Sequence, residues 1–242
     1  MPMIADRRRA RVAGLVYLVM IVTTGFWYGI GQTFMGLDPA ATFARLQSNR
    51  TLFELAILSG AIGFVDFLVL GLLLYRLFSS VREGAARMML AFVAVSVPLS
   101  LGAVVRQMDA LSLLDSTRTL TSLPIEQLIV VALRGYTNLF LVSSIFSGLW
   151  LIPFGWLVFR SRVLPRNIGV LLLLGSVFYV LAFVGTVVNP QYGATLVAQV
   201  VGVLSGVPAI LGELFACIWL LMARGAALNG TAESRVRTAI VS

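Results

Sequence analysis

IGVLLLLGSVFYVLAFVGTVV, residues Ile168–Val188, carries no charged side chain and no proline. About 20 apolar residues are what a helix needs to cross the hydrocarbon core of a bilayer. Arg160, Arg162 and Arg166 stand just before the stretch, where cations anchor a span at the membrane boundary. The segment therefore reads as a transmembrane helix. Leu164-Pro165-Arg166 reads as the turn that leads into it, since proline stops an incoming helix.

Five further blocks repeat the pattern on either side: Val12–Ile30, Phe53–Tyr75, Met88–Val105, Tyr136–Phe159 and Leu196–Met222. The whole chain of 242 residues is 59% hydrophobic and 12% charged, with mean hydropathy +0.97. A soluble domain is nearer one quarter charged. The first block follows Arg7, Arg8, Arg9 and Arg11 like a secretory signal. It is longer than a typical signal core, and no small-x-small cleavage site follows Gly25-Phe26-Trp27-Tyr28. The expectation is an all-α integral membrane helical bundle of six transmembrane helices. Residues 1–224 form one transmembrane domain, and 225–242 form a polar tail that reads as disordered.

Net charge is +8, and every basic residue is arginine. Thirteen arginines fall on the N-terminal side of the six-span layout; Arg45, Arg50, Arg106, Arg118 and Arg134 fall on the other. Cytoplasmic loops carry such an excess, so both termini are expected inside, in a bacterial cytoplasmic membrane. The arginines flank apolar blocks instead of forming a stripe on one folded face, which excludes nucleic acid as a partner.

Between spans, Asp38-Pro39 has the form of a helix start, with Asp as cap and Pro at the first helical position. In the long segment 107–135, residues 124–134 suit an extra interfacial or half-inserted helix. There Glu126 and Arg134 flank Ile125, Leu128, Ile129 and Val131.

The absences limit the chemistry. Without histidine, the usual zinc and haem sites and imidazole proton transfer are missing. Without lysine, so are a Schiff base and a Walker-type phosphate loop. The single cysteine, Cys217, allows no internal disulfide and reads as a packing residue. No cofactor is called for.

Asp66 and Glu213 are the candidate catalytic residues. A carboxyl at mid-bilayer is costly, by about 2.5–3.5 kcal/mol on insertion scales, and so is neutralised, paired or functional. Both lie roughly 15 Å from the arginines that end their spans. If those spans neighbour each other, the two acids share a proton. The competing reading is that each is protonated and bonded to a neighbouring helix, serving assembly alone. Ser59 and Gly63 share the face of Asp66, and Gly202, Ser205, Gly206, Ala209, Glu213 and Ala216 form a small-residue stripe. Pro208 frees the Leu204 carbonyl nearby. Arg106, Gln107 and Asp109, with Glu54 and Asn138, are candidate ligand-binding residues at the other end, although residues so placed are more often interfacial anchors. The tryptophans read as belt and packing residues. Ser143, Ser144 and Ser147 read as interhelical hydrogen bonders.

Several stretches resemble a bacterial multi-pass membrane family known as domain of unknown function 4386. They are Arg11–Gly25; Gly148-Leu149-Trp150 leading to Arg160-Ser161, Leu164-Pro165-Arg166, Gly169 and Tyr179; and Gly212-Glu213 before Trp219-Leu220-Leu221. Asp66 stands where that family tends to carry an acid. The third span departs, with Val95-Ser96-Val97-Pro98-Leu99-Ser100 where a polar or charged residue is expected. The resemblance implies a membrane fold and brings no reaction with it. Three function classes follow: a protein that binds an apolar or lipid-like small molecule, an acid–base membrane enzyme using Asp66 and Glu213, and a proton-coupled transporter.

Overall fold

Inside a bilayer no water satisfies the backbone, so each apolar block must close its hydrogen bonds within itself as a helix. A computed structural model describes residues 2–36, 38–115, 124–161, 164–189 and 191–222. The helices are α1 (Pro2–Gln32), α2 (Pro39–Ser48), α3 (Arg50–Phe78), α4 (Glu83–Leu114), α5 (Ile125–Leu149), α6 (Leu151–Ser161), α7 (Arg166–Val188) and α8 (Leu196–Met222). A 3₁₀ turn at Tyr192–Ala194 precedes α8. Among the described residues six stretches are long and apolar enough to cross a membrane, with α5 and α6 together making the fourth. The described residues thus form an all-α bundle with six candidate spans.

The helices outrun the apolar blocks, because polar residues continue a helix into the interface. Met88–Val105 thus becomes the middle of α4. The stretch 124–134 is no separate element: Gln127 and Leu128 donate to the Pro124 carbonyl, and the helix runs unbroken to Leu149. Its division from α6 at Trp150 has a local cause, since Pro153 has no N–H to donate to the Leu149 carbonyl. Trp150 still donates to Phe146, and Phe154 to Trp150. Helices α4 and α8 continue through Pro98 and Pro208. Helix α2 starts as its sequence predicts, with Ala41 N–H donating to Asp38 Oδ1 at 2.9 Å and Pro39 in the first turn. The tail 225–242 lies outside the described residues.

The described chain divides into two compact units. Unit 1 holds residues 1–18, 69–93 and 145–242; unit 2 holds 19–68 and 94–144.

In unit 1, α7 packs on α6 and on α8 where glycines let backbones approach. A Cβ at Gly169 would stand 2.6 Å from the Gly155 carbonyl oxygen, and one at Gly175 would stand 2.7 Å from Ala209 Cβ. Gly212 meets Leu172 in the same way. The small-residue stripe of α8 is thus used through Ala209, while Gly212 lies outside that stripe. A Cβ at Gly202 or Gly206 would meet nothing within 4 Å. Gly14 of α1 lies against Leu221, and the Cys217 thiol donates to the Gly14 carbonyl at 3.4 Å.

In unit 2, α1 packs on α3. Trp27 covers Gly60, Thr23 and Thr24 cover Gly63, and Ser59 donates to the Thr23 carbonyl at 2.9 Å. Ser143 of α5 shares a 2.5 Å hydrogen bond with Ser100 of α4, the interhelical role expected of it. Ser144 instead turns back on the Leu141 carbonyl of its own helix.

Candidate functional site

The polar centre of unit 2 is built on three helices. The Trp27 indole N–H of α1 donates to Gln107 Oε1 of α4 at 2.6 Å. Phe64, Tyr136 and Phe140 meet the indole edge-on, with centroids 5.0–5.3 Å away. Trp27 and Tyr136 are each 1% exposed and Gln107 is 0% exposed. Gln107 Nε2 and the Tyr136 hydroxyl are buried without a hydrogen-bond partner. Both face Gly31, where an added Cβ would stand 2.8 Å from the hydroxyl and 3.2 Å from the amide nitrogen. Only glycine there leaves room beside these two groups. Beside this centre, Phe34, Met35 and Gly36 just past the end of α1, Thr42 of α2, and Val130, Leu133 and Arg134 of α5 line a pocket of about 190 Å³.

The five ligand candidates from sequence do not converge. Arg106 and Asp109 pair with each other at 3.1 Å on an exposed face. Glu54 accepts from Arg50 at 2.8 Å, and Asn138 is exposed. Gln107 alone turns inward. Arg50 also grips Asp115 with bonds of 2.5 and 2.8 Å. These hydrogen bonds hold the exposed Asp115 carboxyl below the usual aspartate range.

Asp66 sits half-buried on α3 in unit 2. Among the described residues it takes no side-chain hydrogen bond or ion pair. Glu213 sits half-buried on α8 in unit 1. One turn along α8 from Glu213, Cys217 bonds to Gly14 of α1, and one turn along α1 from Gly14 stands Tyr17, a fully buried phenol whose hydroxyl has no hydrogen-bond partner. Among the described residues no group of three or more acids and cysteines could hold a metal ion.

Tyr17, Trp27 and Tyr136 are the site residues that reading the sequence did not single out. Aromatic residues are everywhere in such a chain, and their roles depend on partners from distant helices.

Six apolar helices with buried polar centres define a multi-pass α-helical membrane protein. The family described as a domain of unknown function (DUF4386) matches residues 12–223, and the chain belongs to it. That match runs through the third span as well. No curated protein and no solved structure matches the chain.

Proposed function

We propose that the protein holds an apolar or lipid-like small molecule and recognises its polar end in unit 2 through Gln107 and Tyr136. One observation carries this reading: two buried hydrogen-bonding groups face one glycine with no protein partner. A buried polar group left unpaired costs about 1–3 kcal/mol, so the arrangement suits a ligand that completes it. A carbonyl or ether oxygen accepts from the Gln107 amide, and a hydroxyl bonds to Tyr136. The apolar body of the molecule suits the adjoining pocket beside Phe34, Val130 and Leu133, with Arg134 at its edge. Asp66 adds a further unpaired polar group to the same unit. The setting we propose is a bacterial cytoplasmic membrane with both termini inside, on the arginine bias.

The experiment is mass spectrometry of small molecules bound to the gently solubilised full chain. Wild type should carry a species that Gln107→Leu and Tyr136→Phe each retain roughly tenfold less, the order of one lost hydrogen bond. A wild-type protein with no bound species, or variants that retain it fully, would overturn the reading.

A second reading, acid–base catalysis, is favoured by the contact of Cys217 with Gly14, which leaves Glu213 and the unpartnered Tyr17 hydroxyl each one helical turn from the same α1–α8 seam. It requires turnover of the bound species that Glu213→Gln abolishes while folding persists.

A further inference from the structure

Groove, arginines and aromatic rings coincide at one end of unit 1. Trp156, Phe159 and Arg160 of α6 and Val170, Leu173, Leu174 and Val177 of α7 line an open apolar groove of about 570 Å³. Positions 170, 173, 174 and 177 follow one face of α7 for about 10 Å.

Two further guanidiniums join Arg160. Arg82, just before α4, lies 5.4 Å from the Trp156 ring centroid. Arg166, the first residue of α7, lies 5.4 Å from that of Phe159. A guanidinium stacked on a ring still presents its N–H edge, which fits a phosphate with two parallel hydrogen bonds. Among the described residues no carboxylate pairs with Arg82, Arg160 or Arg166. The nearest acid in sequence, Glu83, is taken by Arg87.

We propose that this groove binds an anionic phospholipid, its acyl chain along α7 and its phosphodiester held by Arg82, Arg160 and Arg166. Charge complementarity selects the lipid. Three cations with no paired acid among the described residues attract an anionic headgroup, and a zwitterionic one would bring a further cation into the same cluster. The apolar length of the groove selects a lipid over a free phosphate, which leaves Val170, Leu174 and Val177 uncovered. The arginine-rich end places the lipid in the leaflet that faces the termini. This site lies wholly within unit 1 and stands apart from the reading of unit 2.

The test is thermal melting of the full chain in detergent with added phosphatidylglycerol, phosphatidylcholine or soluble glycerol phosphate. Phosphatidylglycerol should raise Tm, and the other two should not. Substituting Arg82, Arg160 and Arg166 together by Gln should weaken the apparent affinity for phosphatidylglycerol on the order of a hundredfold, about fivefold per arginine. Arg87→Gln, whose arginine is already paired, should leave it unchanged. Equal stabilisation by both lipids, an equal response to glycerol phosphate, or a triple variant that binds like wild type would each overturn the proposal. If the triple variant fails to fold, the wild-type selectivity and Arg160→Gln alone decide it.

Discussion

Trp27 and Gln107 stand eighty residues apart in sequence and share a buried 2.6 Å hydrogen bond. The bond ties α1 to α4 within unit 2 and fixes which end of the Gln107 amide is left to bond elsewhere. Gln107→Leu strands the indole N–H in an apolar surrounding and should destabilise the protein by about 1–3 kcal/mol. Trp27→Phe added to that variant removes the stranded donor, so the double variant should cost less than the two single changes summed. Unfolding in mixed micelles measures all three. Strictly additive losses would mean that the bond has no stabilising role.

Glycine positions should separate cleanly by what lies above them. A Cβ at Gly60 collides with the Trp27 indole, a rigid group, whereas one at Gly206 meets open space. Gly60→Ala should therefore cost about 1–3 kcal/mol through overpacking. Gly206→Ala should be neutral or slightly stabilising, since alanine is the better helix former. Tm in detergent reports both, and equal losses would contradict the packing described for α1 and α3.

The Arg50–Asp115 pair carries a pH signature. Arg50 lowers the folded pKa of the Asp115 carboxyl, so the folded state binds fewer protons than the unfolded state near that pKa. The pair's contribution is then complete above the unfolded value of about 4 and is lost as pH falls from there through the lower folded value. Both side chains are exposed, so the effect should be small and weaken with salt. Melting from about pH 6 to about pH 3 should show wild type losing an increment that Asp115→Asn lacks at every pH. Parallel curves for the two proteins would refute the pairing.

Orientation can be read directly. With thirteen arginines on the side of the termini, a reporter active only in the periplasm should give no signal when fused after Ser242. The same reporter placed after Arg118 should be active. The reverse pattern would invert the topology.

The six spans were legible because bilayer solvent demands long apolar runs that any reading of the sequence detects. Asp38-Pro39 was legible too, because a cap is local chemistry. The unit 2 centre was legible only in part. Arg106, Gln107 and Asp109 are neighbours in sequence, but an α-helix turns about 100° per residue. Arg106 and Asp109, three apart, therefore pair outside while Gln107 points within. Trp27 read as one belt residue among several because its partner comes from another helix. The stretch 124–134 looked amphipathic enough to stand alone, and only its unbroken hydrogen-bond ladder joins it to α5. Gly202 and Gly206 belong to the small-residue stripe that spacing reveals, yet spacing does not say which helix lies opposite.

Cys217 is the only thiol in the chain, 1% exposed, and it caps the Gly14 carbonyl where α8 meets α1. The molecule thus contains its own clock for that seam. A membrane-permeant maleimide can reach the sulfur only while the two helices part, so the labelling rate of the unmodified protein measures how often they do. Any molecule that holds α1 and α8 together would slow that clock, without a single engineered residue.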